Sequence, residues 1–303
     1  METPTRTRAD MCPGVWRPWQ ADDGLLVRIR LVGGRLATDA LQRLSEVSQR
    51  HADGHIHLTG RANLQLRGLP GDGLQLTPRL SKAAFAAIES TGLLPSRTHE
   101  LVRNVLVSPQ TGLAGGRADL RCVATQLDEL LCADAKLALL PGRFLFTLDD
   151  GRGDVLDRIT GVGKHGTDLG CVALGDGVVQ LRVGDHWGAV TPSGDAAGRL
   201  IDLAVRFLDA RGTGANAPWH IRELTRPLQA PAPADPRLPA AAPPLPYGTV
   251  PGGIHVPAAD GVLTPRLVQS LLDRAAHVAH VVVTPWRGVL VPGRVPDAPE
   301  VSR

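Results

Sequence analysis

Arginine residues that could bind an acidic ligand occur at turns and strand ends of this sequence. Arg61 lies between two alternating apolar segments in LTGRANLQLRG, Arg67 lies in the second segment, and Arg287 lies in a similar turn in TPWRGVLVPG. A guanidinium group binds a carboxylate through two parallel hydrogen bonds, which lysine cannot do. Because a turn residue can project beyond a sheet edge into a cleft, these side chains are candidates for binding a ligand that carries carboxylates.

Two more segments place polar residues where apolar strands begin. Arg103 and Asn104 precede the apolar run in LVRNVLVSPQTG, and Arg143 follows the Pro-Gly turn in LPGRFLFTLDD. If these distant segments meet, Arg103 and Arg143 converge with the turn arginines on one groove that suits a ligand rich in carboxylates. Two alternatives stay open: Asn104 could simply form a turn, and the polar face that carries Arg67 could simply be solvated.

No metal site is evident from residue spacing. Asp149 and Asp150 in LDDGRGD are typical of a β-turn, and no histidine or further carboxylate that would complete a cation site is evident nearby. The cysteines are scattered, without a C-x-x-C pair, at Cys12, Cys122, Cys132 and Cys171. We expect them to be free thiols that are buried or partly buried.

Composition argues against two broad classes of protein. The 303 residues carry a net charge of only +3, so the chain lacks the basic field that is typical of nucleic-acid binders. No apolar run follows the amino terminus, and no apolar stretch approaches the length of a bilayer span. We therefore expect a cytoplasmic protein that contacts neither nucleic acid nor membrane. Hydrophobic residues make up 43% of the chain, enough for a sizeable core.

Periodicity divides the chain into four segments. Residues 10–75 and 249–297 each have the pattern of a β-α-β-β unit of the ferredoxin-like kind, and residues 76–225 mix helices and strands as an α/β domain. Residues 226–248 are rich in proline and alanine, which predicts an extended linker. The expected fold class is therefore α+β, with two ferredoxin-like half-domains pairing pseudo-symmetrically around the α/β domain.

The two β-α-β-β units are similar to each other in sequence. HIHLTGRANLQLRG at 55–68 and HVVVTPWRGVLVPG at 280–293 each have an alternating strand, a threonine, a basic residue in the turn, a second strand and a glycine. Arg61 and Arg287 match in this alignment to within one residue. Because neither unit alone can bury a sheet face, we expect the two to pair about a pseudo-twofold axis. The alternative is coincidence between two common units.

Four stretches resemble the sulfite/nitrite reductase superfamily: CPGVWRPWQADDGLLVRIR, LTGRANLQLRG, VRNVLVSPQTG and LPGRFLFTLDDGRGD. The last of these, together with TPWRGVLVPG, is most similar to the precorrin-3B synthase group, and the resemblance extends over nearly the whole chain. It implies that residues 76–225 form a nitrite/sulfite reductase-type tetrapyrrole-binding domain. It also implies that Arg61 and Arg103 contact a tetrapyrrole and its bound anion, and that Arg143 belongs to the same site.

The resemblance further implies an oxidoreductase. The precorrin-3B synthase group oxidises precorrin-3A with dioxygen and NADH in aerobic cobalamin biosynthesis, and its substrate carries many acetate and propionate arms. The superfamily holds a [4Fe-4S] cluster on cysteine pairs spaced about C-x5-C and C-x3-C, and the reductases also hold siroheme. The cysteines of this chain lack that spacing. We therefore expect the cluster-bearing part to be missing here, and a second chain or self-association to cover the missing half.

Three interpretations of the function remain open. The chain is part of a precorrin-3B synthase-type enzyme, or it binds a tetrapyrrole without turnover and without a cluster, or it is a fragment of a sulfite or nitrite reductase. Leu145 stands where the reductases carry a second lysine, which argues against the last interpretation. We expect Arg61→Ala and Arg103→Ala each to weaken tetrapyrrole binding with little loss of folding stability, because turn arginines at a cleft are not part of the core.

Overall fold

The computed structural model describes residues 10–72, 77–161, 166–214 and 216–293. The strands within these ranges are β1 Trp19–Ala21, β2 Gly24–Ile29, β3 Arg35–Ala37, β4 Ile56–Leu58, β5 Leu64–Leu69, β6 Val105–Val107, β7 Phe146–Asp149, β8 Leu169–Gly175, β9 Val178–Val183, β10 His186–Pro192, β11 Gly248–Val250, β12 Gly253–Pro257, β13 Val262–Leu263, β14 His280–Val283 and β15 Gly288–Pro292. The α-helices are α1 Thr38–His51, α2 Lys82–Glu89, α3 Arg121–Ala133, α4 Leu156–Thr160, α5 Ala196–Arg211 and α6 Pro265–Arg274. None of these helices has the length and hydrophobicity that a bilayer crossing would require.

Two five-stranded antiparallel sheets form the ferredoxin-like part, and each takes an edge strand from the other half of the chain. The order is β1-β2-β5-β4-β13 in the first sheet and β11-β12-β15-β14-β3 in the second sheet. At these edges Leu263 pairs with Ile56, and Leu36 pairs with Val281. The element order is the same in both halves, with the third strand exchanged between them. This arrangement confirms the α+β fold with pseudo-symmetrically paired half-domains.

The two halves share one apolar core. Alternate residues of both sheets point toward α1 and α6, which pack against each other. Val27 and Ile29 of the first sheet and Val281 and Val283 of the second sheet are completely buried in this layer. Burying such a side chain stabilises the fold by about 1.5–3 kcal/mol. Because the helices cover both sheets at once, the apolar face of each sheet is fully buried only when the other half is in place.

The two halves also make the same turn where the sequence pattern aligns their arginines. In each half a threonine N–H, of Thr59 or Thr284, donates to the carbonyl four residues further on at 2.9 Å. The left-handed position of the turn is Ala62 in the first half, with φ 55°, and Arg287 in the second half, with φ 60°. Arg287 is therefore structurally equivalent to Ala62, and Arg61 lies one position earlier in its turn.

A mixed five-stranded sheet, the middle sheet, lies between the two halves in the chain, with the order β10-β9-β8-β7-β6. Strands β6, β7 and β8 are parallel, whereas β9 and β10 are antiparallel additions. Helices α3 and α5 pack against each other and against this sheet over a core that includes Leu127, Phe144 and Phe207. The rings of Phe144 and Phe207 lie 5.1 Å apart between centroids. This second core is separate from that of the paired halves.

Two connecting segments join the cores. Helix α2 packs on α1 and places Ala84 and Ile88 in the core of the paired halves, although the sequence pattern groups it with the α/β domain. Residues 226–247 form no helix or strand, and hydrogen bonds fix their extended path along the middle domain. The Gln180 side chain binds the carbonyl of Pro233 at 2.8 Å and the N–H of Asp235 at 2.9 Å.

Candidate anion-binding cavity

A cavity of about 630 Å³ lies where the first half, a turn of the second half and the middle domain meet. Among the described residues, no acidic side chain lines it, whereas five arginines do: Arg28, Arg61, Arg143, Arg158 and Arg287. The rest of its lining is uncharged: Met11, Cys12, Pro13, Thr59, Gly60, Asn63 and Pro285. We call this site the five-arginine cavity.

Strand alternation and turn geometry bring these arginines together. Val27 and Ile29 of β2 point into the core, so Arg28 between them points outward to the cavity. Arg61 comes from the turn between β4 and β5, and its Nη1 donates to the carbonyl of Arg143 at 3.0 Å. This hydrogen bond joins the first half to the middle domain at the rim of the cavity.

The cavity concentrates positive charge. Burial is the main cause that lowers the pKa of Arg28 and of Arg61, and repulsion from Arg143 lowers both further. The Nε atoms of Arg28 and Arg143 are buried without a hydrogen-bond partner. The guanidinium carbon of Arg143 lies 5.2 Å from the centroid of the Trp219 ring, which orients the cation without using its donors. An anion would therefore supply both the charge and the acceptors that these groups lack.

A buried polar network supports the cavity from below. Arg30 is only 3% exposed, and its Nε donates to Oδ1 of Asn104 at 3.1 Å. The Asn104 amide donates in turn to the carbonyl of Gly142 at 3.0 Å. Asn104 thus ties β2 to the segment that carries Arg143. In this structure Asn104 is a positioning residue, because it is buried beneath the cavity and does not line it.

The structure places two of the sequence-predicted residues away from the cavity. Arg67 projects from β5, where its Nε binds Asp23 at 3.0 Å. Arg103 makes two hydrogen bonds to Asp128, of 2.6 and 2.8 Å, and its side chain is 9% exposed. Both guanidinium groups are therefore engaged by carboxylates of the protein itself. The other predicted residues are Arg61, Arg143 and Arg287, which meet at the cavity, and Asn104, which lies beneath it.

Sequence reasoning missed Arg28 and Arg158. The alternation in GLLVRIR contains a signal for Arg28, because it puts this residue on the face opposite Val27. Arg158 has no such signal. Its position depends on how Leu156 and Ile159 pack α4 against β8, which is a tertiary contact.

Three carboxylates approach within 4.8 Å of one another at the end of β7 and in the loop that follows: Asp149, Asp150 and Asp154. The expectation that no further carboxylate lies near Asp149 and Asp150 is therefore wrong, because the turn brings Asp154 back to them. Asp149 accepts the N–H groups of Gly151 and Gly153, each at 2.9 Å. Asp150 pairs with Arg152 at 2.7 Å. These contacts fix the turn and neutralise part of its charge, so a metal ion would have to compete with partners that are already present.

Asp154 accepts fewer hydrogen bonds than Asp149 or Asp150. Its Oδ1 accepts the hydroxyl of Ser108 at 2.6 Å, whereas its Oδ2 is buried without a hydrogen-bond partner. Burial raises the pKa of Asp154 to about 7, helped by the charge of Asp149 and opposed by the Ser108 hydrogen bond. The folded chain therefore holds a proton that the unfolded chain releases at lower pH, and the free energy of unfolding falls between about pH 4 and pH 7.

We expect Asp154→Asn to remove much of this pH dependence. The amide keeps an acceptor for Ser108 and carries no charge, so the variant should be more stable than the wild-type chain at pH 8 by about 2 kcal/mol. Urea unfolding at pH 5 and pH 8 measures the change, with the exposed Asp157→Asn as the matched control. The same pH dependence in wild type and Asp154→Asn would show that Asp154 is ionised throughout.

The described cysteines do not form an iron–sulfur site. Cys12 and Cys171 are buried, Cys132 is half-buried and Cys122 is exposed, and all four are free. Apart from the three aspartates, no group of three or more cysteine, histidine or acidic side chains comes within ligand distance in the part of the chain that the structure describes. These residues therefore do not fit a [4Fe-4S] cluster, which requires four ligands around one centre.

Comparisons with known proteins agree with the fold and with the sequence motifs. Residues 20–76 match the family model of the nitrite/sulfite reductase ferredoxin-like half domain. A precorrin-3B synthase of Sinorhizobium sp is 36% identical over 128 residues, which are 41% of this chain and 25% of that protein. The NirA protein of Mycobacterium tuberculosis has the same fold with a TM-score of 0.64 and 17% sequence identity, over 95% of this chain and 60% of that one.

These matches are partial in length. The aligned part spans a quarter of the curated precorrin-3B synthase and three-fifths of the solved NirA chain. The chain resembles precorrin-3B synthase in sequence and NirA in fold, and the half-domain match covers the strand that carries Arg28 and the turn that carries Arg61.

Proposed function

We propose, from the resemblance to precorrin-3B synthase, that this chain binds a carboxylate-rich tetrapyrrole in the five-arginine cavity as part of an oxidoreductase that acts on precorrin-3A in cobalamin biosynthesis. The observation that carries the proposal is the convergence of five guanidinium groups on one hollow with no acidic side chain in its described lining. A protein that folds without a ligand gains nothing from such a cluster, because burial and mutual repulsion both cost stability.

A carboxylate-rich tetrapyrrole carries the negative charges and hydrogen-bond acceptors that this cavity lacks. Its acetate and propionate arms surround a flat macrocycle, so several carboxylates can reach separate arginines at once. Met11, Pro13 and Pro285 offer apolar surface for the ring itself. Siroheme, the prosthetic group of the reductases, carries the same kind of arms, and the cavity arginines fit it for the same reason.

The described side chains would bind and orient the macrocycle. Arg61 and Arg143 would hold its arms from two different domains, and the Arg61 contact to the Arg143 carbonyl keeps those domains in register. Asn104 would keep the Arg143 segment in place through Gly142. An iron–sulfur cluster would supply electrons in this superfamily, and the described cysteines do not fit one. We therefore assign electron transfer to polypeptide other than the described residues, such as a partner chain, because a second copy of this chain would bring only the same four cysteines.

Titration with porphyrins that differ only in their number of carboxylates tests the proposed ligand. We expect the octacarboxylate uroporphyrin to bind at least tenfold more tightly than the dicarboxylate mesoporphyrin, and the difference to shrink as salt is raised. Quenching of porphyrin fluorescence measures both affinities. Equal affinity for the two porphyrins would indicate apolar adsorption and would contradict a carboxylate-binding site.

A second candidate, tetrapyrrole binding without turnover, is favoured by the separation of the cysteines. Anaerobic purification followed by iron and sulfide analysis distinguishes the two functions, because an iron–sulfur absorption band from this polypeptide alone would contradict the second. Sulfite or nitrite reduction is disfavoured by Leu145. Its side chain is 1% exposed and belongs to the apolar core, so this position adds no cation to the cavity.

A further inference from the structure

A second hollow, of about 310 Å³, lies between the second sheet and helix α3. Its walls are β3 and β14 on one side and the Arg121, Ala124, Thr125 and Asp128 face of α3 on the other. It shares no lining residue with the five-arginine cavity. We call it the α3 cleft.

Positive charge is in excess in the α3 cleft. Arg103 is neutralised by Asp128 at 2.6 Å, and Arg121 by Asp119 at 2.6 Å. Two further arginines that line the cleft, Arg30 and Arg35, have no carboxylate within ion-pair distance among the described residues. His280 adds no further positive charge near neutral pH, because burial and the neighbouring Arg35 lower its pKa more than Asp39 raises it.

Arg30 gives the cleft a buried donor that lacks an acceptor. The side chain is 3% exposed, and its Nη2 has no hydrogen-bond partner, although Nε and Nη1 are both bonded. Burial lowers the pKa of Arg30 to about 10, so the group still carries its charge near neutral pH. Arg35 is exposed at the mouth of the cleft. An anion between these two cations would complete the hydrogen bonding of Arg30 and neutralise Arg35.

Most of the remaining lining is apolar. Side chains from the first half, the middle domain and the second half contribute to it: Val32, Leu93, Val107, Leu113, Val282 and Pro292. Such a wall excludes water from the body of a ligand and disfavours a compact dianion such as phosphate, which would lose its hydration without replacement. The combination suits a ligand with one anionic group and a compact apolar body.

We propose that the α3 cleft is a second ligand site, which binds a small amphipathic monoanion such as an aromatic carboxylate. The anionic group lies between Arg30 and Arg35, and the apolar body lies against Val107 and Val282. The site lies in a hollow that shares no lining residue with the five-arginine cavity. A ligand there would contact both halves of the ferredoxin-like part and the middle domain.

Isothermal titration of the full chain with 2-naphthoate tests this site, with neutral 2-naphthamide as the matched probe. We expect saturable one-to-one binding of the acid, and weaker binding of the amide. Arg35→Ala should weaken naphthoate binding about fivefold, because one partly exposed charge-assisted contact is lost. Thr125→Trp should abolish it by filling the cleft from an exposed position of α3.

Two control variants test whether the loss of naphthoate binding is specific to the α3 cleft. Arg266→Ala removes an exposed arginine on α6, and Gln126→Trp adds the same bulk on α3 outside the cleft. Both should bind naphthoate as the wild-type chain does. Equal binding of acid and amide, unchanged binding in Arg35→Ala and Thr125→Trp, or equal losses in the control variants would each overturn the proposal.

Discussion

The double variant Arg61→Ala with Arg287→Gly is expected to bind uroporphyrin about 100-fold more weakly than the wild-type chain. Each guanidinium group can make charge-assisted hydrogen bonds to a carboxylate arm, and losing one such contact costs about tenfold in affinity. Glycine suits position 287 because the backbone there is left-handed, with φ 60°. The second substitution therefore removes the charge without straining the turn, and fluorescence titration measures the loss.

Two single variants serve as controls for this prediction. Arg199→Ala changes an exposed arginine on α5, and Arg67→Ala changes the arginine that pairs with Asp23 outside the cavity. Both should leave uroporphyrin affinity within about twofold of the wild-type value, since surface ion pairs contribute little. If either weakens binding as much as Arg61→Ala does, binding follows net charge and no specific cavity is involved.

Arg103→Ala is expected to lower the free energy of unfolding by about 3 kcal/mol and to leave uroporphyrin affinity nearly unchanged. The substitution leaves the Asp128 carboxylate without its partner in a position where that side chain is only 21% exposed. The turn position of Arg103 in the sequence predicts the opposite, a loss of binding with little loss of stability. The difference arises because α3 brings Asp128 to within 2.6 Å of the arginine.

A second ion pair, at the start of helix α3, tests the assignment of Arg103. Arg121 binds Asp119 at 2.6 Å with side chains 39% and 41% exposed, so Arg121→Ala should cost less than about 1 kcal/mol. The double variant Arg103→Met with Asp128→Leu should regain most of the stability, because it leaves no unpaired charge. Equal losses from Arg103→Ala and Arg121→Ala in urea unfolding would show that burial of the Arg103 pair contributes nothing.

Periodicity was sufficient to predict the repeat and the fold class. The matching segments at 55–68 and 280–293 predict two similar units, and the structure shows the same turn in both, at Thr59 and Thr284. Apolar alternation also predicts which strand faces are buried, as Val27 and Ile29 illustrate. The exchange of β3 and β13 was not predicted, because these strands have three and two residues and pair only across the halves.

The site was harder to predict than the fold, since the sequence does not show whether an arginine is free for a ligand or is already bound by a carboxylate of the protein. Arg61 and Arg143 are at the cavity because each lies in a turn that leads into a strand, Arg61 before β5 and Arg143 before β7, although the sequence pattern places Arg143 at the start of the strand itself. Arg103 stands in a similar context, yet a carboxylate 25 positions later in the sequence binds it. Arg158 reaches the cavity only through the packing of α4, which no local pattern encodes.

The exchanged edge strands have a consequence for synthesis of the chain on the ribosome. Strand β4 is complete once residue 58 has been made, but its neighbour β13 begins at residue 262. An open strand edge can pair with other chains and start aggregation. The growing polypeptide must therefore carry this unprotected edge while roughly two hundred residues are added, which takes on the order of 10–40 s at the usual elongation rate. Nascent-chain protection by a chaperone would be needed most in that interval.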